Sequence, residues 1–261
     1  MQYPKLEKLA ATSGIEQLVI EEPENNPHEM MKLVLAPKAL KSLRIQQEIS
    51  CFSIGSCFHP LSKFYGETIN AHKDSLEELD LDILHRPCGE AGHANNPDAV
   101  VGDMMVMYKE NREQWKNTHL IGSLKDFTAL RKLSISPSSL CGDRRWGFSR
   151  HKITDILPSS LEALELRIDN APGAVGLEFA ERWVRQLLEL VKEAAEHHPN
   201  LKSLTLRRFL GDWVSFPVSN TLREACVLAR INLHLTVVAG GQHHDPYFEE
   251  ILGGRNPGRD Y

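Results

Sequence analysis

Along the chain, aliphatic residues recur in the order aliphatic-x-x-aliphatic-x-aliphatic. The pattern occurs as Ile15-Leu18-Ile20, Leu40-Leu43-Ile45, Leu76-Leu79-Leu81, Leu130-Leu133-Ile135, Leu161-Leu164-Leu166, Leu201-Leu204-Leu206 and, less cleanly, Leu228-Ile231-Leu233. The spacing pattern alone is weak evidence, because a chain rich in Leu, Ile and Val produces some such triplets by chance. Near-duplication of the surrounding residues is stronger. Lys38-Ala39-Leu40-Lys41-Ser42-Leu43-Arg44-Ile45 returns as Pro199-Asn200-Leu201-Lys202-Ser203-Leu204-Thr205-Leu206, and Ser75-Leu76-Glu77-Glu78-Leu79-Asp80-Leu81 returns as Ser160-Leu161-Glu162-Ala163-Leu164-Glu165-Leu166.

The end of each triplet alternates apolar and polar residues, the period of a short strand with one buried face. The first aliphatic residue marks the turn into that strand. Between triplets lie segments long enough for helices. The clearest runs from Gly176 to His198, with Leu177, Ala180, Trp183, Val184, Leu187, Leu188, Val191, Ala194 and Ala195 at helical spacing; Pro172 and Gly173 precede it and Pro199 follows. Strand, crossover helix and parallel strand predict an α/β fold: an irregular leucine-rich-repeat-like solenoid, a curved parallel sheet with helices and loops on its convex side. Triplet spacings of 25, 36, 54, 31, 40 and 27 residues exceed the regular repeat of about 20–29 in several units, so those units carry insertions. The Asn or Cys usual in the buried ladder is missing.

One solenoid over 1–240 is expected, interrupted by a long insertion at 82–118 and followed by a flexible tail at 241–261. The insertion opens with a turn-rich loop from His85 to Pro97. Next comes Asp103 to Lys116, where Met104, Met107, Tyr108 and Trp115 suit a helix covering one end of the core.

Composition narrows the functional classes. Of 261 residues, 41% are hydrophobic and 25% charged, in the range of globular proteins. A net charge of −5 supplies no basic field for nucleic acid or an anionic membrane. Apolar runs such as Ile231 to Gly241 fall short of the roughly 20 residues a bilayer requires, and the N-terminus lacks the basic leader and apolar core of a signal peptide. Five scattered cysteines and no glycosylation sequon predict an intracellular protein, cytoplasmic or nuclear.

Catalytic signatures are mostly absent: there is no Gly-x-Ser-x-Gly, phosphate-binding Gly-Lys loop, Gly-x-Gly-x-x-Gly or Cys-x-x-Cys. His28-Glu29-Met30-Met31-Lys32 begins like a zinc-protease helix, but Lys32 stands where the second histidine is required. His85, Cys88 and His93 share one loop and lack a fourth metal ligand; His243-His244 is a second weak set. Cys51 and Cys57 have neither a histidine partner nor a basic cluster, and read as packed thiols. His197-His198 reads as a polar helix end, where an imidazolium suits the dipole. Arg144-Arg145-Trp146 and Arg207-Arg208-Phe209 set basic residues beside aromatics, as single-strand binders do, but are isolated in an acidic chain. No catalytic residue, metal ligand or cofactor is assigned, and the chain is read as non-enzymatic.

The remaining candidate is the polar face of the strands. Residues alternating with the buried aliphatics align in parallel strands into one concave face. Its candidate protein-binding residues are Arg44, Glu78, Asp80, Asp82, Lys132, Ser134, Glu165, Arg167, Thr205, Arg207 and Arg230. The third unit contributes Glu78, Asp80 and Asp82 and is wholly acidic, whereas later units are mixed to basic. Such asymmetry predicts selection of a protein partner with the complementary pattern. It also predicts that reversing the three acids weakens capture without unfolding the chain.

The segments Ile121 to Ile135, Leu140-Cys141-Gly142, Asp155 to Leu166 and His198 to Leu204 resemble the leucine-rich-repeat portion of filamentous-fungal F-box-type proteins. The resemblance covers Ser75 to Leu206 best. It implies an irregular solenoid that binds proteins and, in many members, presents a substrate to a ubiquitin ligase through an N-terminal F-box. No F-box-like leader with its Leu-Pro-x-Glu start is recognised ahead of the first repeat, and the family carries no shared catalytic residues. Three readings therefore stand: a non-catalytic module binding a protein on its concave face, a substrate-recognition adaptor of a ubiquitin ligase, and a metal-dependent enzyme using the His/Cys sets.

Overall fold

The computed structural model describes residues 11–21, 27–50, 61–86, 121–141, 152–168, 175–209 and 220–238. Seven strands form one open parallel sheet whose spatial order is the order of the sequence. They are β1 (Gln17–Glu21), β2 (Ser42–Ser50), β3 (Glu78–Arg86), β4 (Lys132–Ile135), β5 (Ala163–Ile168), β6 (Ser203–Phe209) and β7 (Asn232–Val238). Parallel neighbours require a crossover between them. The described helices are α1 (Pro27–Leu35), α2 (Leu61–Ile69), α3 (Pro137–Cys141), α4 (Ile153–Ile156), α5 (Val175–His197) and α6 (Asn220–Leu228). The chain is thus α/β, with each strand hydrogen-bonded only to the strands before and after it.

Register follows the repeated triplets. Leu18, Leu43, Leu79, Leu133, Leu164, Leu204 and Leu233 form one continuous row, and Ile20, Ile45, Leu81, Ile135, Leu166, Leu206 and Leu235 form the next. From β2 to β6 both rows are essentially solvent-free. Each such leucine contributes roughly 1.5–3 kcal/mol by burial, and a slip of one residue would turn the whole row outward. That cost fixes the register.

The strand entrances repeat as well. The Glu16 carbonyl accepts from Lys41 and Ser42, Lys41 from Glu77 and Glu78, Glu77 from Arg131 and Lys132, Arg131 from Glu162 and Ala163, and Glu162 from Lys202 and Ser203, all at 2.7–3.1 Å. Side chains also bond to carbonyls of neighbouring units. Ser75 Oγ donates to the Leu40 carbonyl and Ser160 Oγ to that of Leu130, while His72 Nε2 lies 2.7 Å from the Val34 carbonyl and His198 Nδ1 3.2 Å from that of Pro158. These side-chain groups meet backbone carbonyls of the preceding unit.

Helix α5 coincides within a residue with the expected segment. Val184, Leu187, Val191 and Ala194 are buried as the spacing requires, joined by Leu190, whereas Ala195 faces solvent. In α2, Gly66 sits against the Ile121 backbone so closely that a Cβ would fall 1.8 Å from its carbonyl oxygen. Alanine there would force the helix away, despite its better helix propensity.

Two expected units differ from the pattern. Ile15 is exposed rather than buried, and among the described residues β1 pairs only with β2. In the last unit Leu228 is 85% exposed and the register moves on by two residues, so that Leu233 and Leu235 join the two rows. The cause is the end of α6. Ile231 N–H donates to the Cys226 carbonyl and Arg230 N–H to that of Val227, with Arg230 at φ 58°. This is a left-handed helix stop that consumes Arg230 before the strand begins. The third strand also runs to Arg86, so Asp82 to Arg86, expected at the start of the insertion, are strand. The expected helix at 103–116 and the tail at 241–261 lie outside the described residues.

Candidate functional site

Because side chains alternate across a strand, the residues between the buried leucines share the opposite face. Val19, Arg44, Asp80, Ser134, Glu165, Thr205 and His234 form its central row. Glu78 and Lys132 lie in the row before it; Gln46 pairs with Asp82, and Arg167 with Arg207, in the row after it. Ten of the eleven candidate binding residues therefore lie on one face. Arg230 does not: it is the left-handed residue of the helix stop, and Asn232 and His234 represent the last unit on the sheet.

The charges on this face are arranged differently from the expectation. Arg167 Nη2 lies 2.8 Å from Asp80 Oδ1, Nη1 3.2 Å from Asp82 Oδ2 and Nε 3.3 Å from Glu165 Oε1. Arg44 Nε approaches Asp80 Oδ2 at 3.5 Å from the other side, and Arg207 Nη1 approaches Glu165 Oε1 at 3.5 Å. Three carboxylates and three guanidiniums thus compensate one another. The acidic third unit and the basic later ones are partners within the chain, and the expected electrostatic asymmetry is largely cancelled in the centre of the face.

Geometry explains the pairing. Strands β3 and β5 are separated by β4, so roughly 9.6 Å divides their backbones. Beta4 places the short Ser134 in register between Asp80 and Glu165, which leaves room for a long arginine to lean across. The Arg167 side chain is only 5% exposed and Asp82 is buried with it. Arg167 Nη1 and Asp80 Oδ1 are close to opposite charges yet meet no partner at hydrogen-bond angles. These two contacts are therefore charge contacts rather than directed bonds. Burial raises the Asp80 carboxyl above its ordinary range; Arg167 and Arg44 oppose that shift, and Asp82 and Glu165 reinforce it.

A second set of charges lies at the strand entrances, and of its members only Glu78 and Lys132 are among the candidate binding residues. The residues whose carbonyls make the repeated turn bonds are Glu16, Lys41, Glu77, Arg131, Glu162 and Lys202, an alternation of sign across six units. Lys41 reaches Glu16 at 2.9 Å and Lys202 reaches Glu162 at 2.8 Å, while Lys132, one residue further in, reaches Glu78 at 2.6 Å. The glutamate partners raise the pKa of Lys41 and Lys132, and Lys202 lowers that of Glu162. The signal was present in the sequence, one position before each strand.

The histidine pair also separates. His197 is exposed at the end of α5, but His198 is buried on the Pro158 carbonyl. Desolvation lowers its pKa, so it acts as a neutral internal acceptor or donor and not as the imidazolium expected at a helix end. His85 is in β3. Cys51, Cys57, Cys88, His93, His243, His244 and the Arg144-Arg145-Trp146 run lie outside the described residues. Among the described residues there is no group of three or more His, Cys, Asp or Glu placed to hold a metal ion, and no helix is long and apolar enough to cross a membrane. Arg207, Arg208 and Phe209 are in β6, with Arg207 engaged by Glu165.

Comparison with protein-family models, curated proteins and solved structures finds no match.

Proposed function

We propose that the chain is a leucine-rich-repeat-like solenoid acting as a non-catalytic, intracellular protein-interaction module, with its protein partner on the concave, polar face of the sheet. The observation that carries this reading is the unbroken seven-strand register, which gathers polar side chains from seven separate segments onto one surface. Surfaces of this kind recognise extended partners through many modest contacts. The internal compensation around Arg167 changes which residues do the reading. Asp80, Asp82, Glu165 and Arg167 hold one another, while Arg44, Ser203 and Thr205 retain accessible surface on either side.

The test is affinity capture from the native cell with the full chain, comparing Ser203→Arg/Thr205→Arg with a control bearing Lys192→Glu on the exposed side of α5. Loss of the captured proteins by the face variant alone supports the reading; equal capture by both sinks it. The adaptor alternative rests on the family resemblance alone. Its readout is co-purification of the ligase linker subunit with the same wild-type chain.

A further inference from the structure

Among the described residues the large hydrophobics that stand exposed are Ile15, Val19, Leu33, Val227 and Leu228. All lie in the first or last unit. The strands there tell the same story: Leu18, Leu233 and Leu235 are only partly covered, whereas their row-mates Leu43, Leu79, Leu133, Leu164 and Leu204 are at most 2% exposed. Among the described residues β1 and β7 each pair on one side only, which makes both ends of the sheet parallel edges, the feature that invites strand addition.

We propose that these two ends fit each other, so that a second copy of this chain stacks head to tail with its β1 beside β7. Three observations select that occupant. Both edge strands run in the same direction, so β1 of the second copy continues the parallel order without inversion. Extending the register sets Leu18 of the second copy beside Leu233 and Ile20 beside Leu235, completing the two buried rows. Charge also agrees: exposed Glu16 precedes β1 and exposed Glu21 ends it, while exposed Arg230 lies just ahead of β7. The extended register brings Glu16 of the second copy opposite Ile231, the neighbour of Arg230. Because the joined surfaces are different, the contact is heterologous and leaves a free end on each side, which gives open chains rather than a closed dimer.

Sedimentation velocity on the full chain over a concentration series tests this. Two exposed-residue variants block one end each: Val19→Lys/Leu33→Lys at the first unit and Leu228→Lys/His234→Lys at the last. The wild type should form a ladder of species growing with concentration. Each variant alone should stay monomeric with an unchanged circular-dichroism melt, and an equimolar mixture should form a one-to-one dimer and nothing longer, because one intact edge of each kind remains. A wild type that stays monomeric at its solubility limit overturns the proposal. So does a blocked variant that dimerises alone, or a mixture with no dimer.

Discussion

Two ionic systems share the sheet, and their surroundings are opposite. Around Arg167 the charges centre on a buried guanidinium and the buried Asp82 on the polar face, cross from β3 to β5, and include contacts without hydrogen-bond geometry. Along the strand entrances the pairs Glu16–Lys41, Glu78–Lys132 and Glu162–Lys202 are short but lie in water. Distance alone would rank the entrance pairs as the stronger. Desolvation reverses that order for the cost of disruption: an exposed pair is screened and contributes little, whereas a charge stranded in a buried network leaves its partners uncompensated.

The largest effect should come from Arg167→Ala, which strands Asp80 and Asp82. A loss of about 3–5 kcal/mol is expected, read from urea unfolding. An effect as small as that of an entrance pair would erase the distinction between the two systems. Next in size is the recovery on removing the charges together. Arg167→Met with Asp80→Asn and Asp82→Asn should regain most of that loss, because no isolated charge remains. If the triple variant is no better than Arg167→Ala, the contribution is packing by the guanidinium rather than charge balance. By the same logic, reversing Glu78, Asp80 and Asp82 would destabilise the sheet itself, so loss of partner capture by that variant could not be assigned to binding.

A third test uses pH, because the two systems titrate with opposite sign. Burial raises Asp80 above the ordinary carboxylate value of 3.8. Its folded state binds the proton more readily, so its contribution to stability is greatest in acid and declines as pH rises through the folded pKa. Glu162 is lowered below 4.5 by Lys202; its contribution is present above 4.5 and is lost as pH falls through the folded value. His198, lowered below 6.5, is protonated more readily in the unfolded chain, so stability held above 6.5 declines as pH falls through its folded value. Unfolding midpoints measured against pH should flatten at the acid end for Glu162→Gln, whereas Asp80→Asn should remove a slope of the other sign. Parallel profiles for the two variants would contradict the contrast.

The smallest effect belongs to Lys132→Ala at the entrance. Stability should change little, and the change should vanish at high salt because the pair is solvent-exposed. A large, salt-independent loss would place that pair with the buried network.

Much of the fold was legible because the aliphatic rows obey a period the backbone imposes. Near-duplicate segments align Leu43 with Leu204 and Leu79 with Leu164, the triplet adds Leu133, and the aligned residues fall in one buried row. The ends were not legible to the same degree. A triplet cannot reveal that Ile15 stands exposed, or that Arg230 terminates a helix in a left-handed conformation usually occupied by glycine. The site was half legible. Which residues share the face follows from alternation, but which of them neutralise each other depends on the reach of Arg167 over Ser134, a relation between segments far apart in the chain. The alternating charges from Glu16 to Lys202 were readable: they occupy the second position of each triplet, one residue ahead of the strand whose alternation defined the face.

Arg167 also bears on how small this protein could be made. A sheet whose strands touch only their immediate neighbours can in principle be cut between any two units and keep what remains. Here the cut is not free: a fragment ending before β5 would hold Asp80 and Asp82 without the guanidinium that balances them, while one ending after β5 would keep the set apart from Arg207. The smallest self-sufficient piece is therefore defined by one side chain spanning three strands, and not by the boundaries of the repeating units.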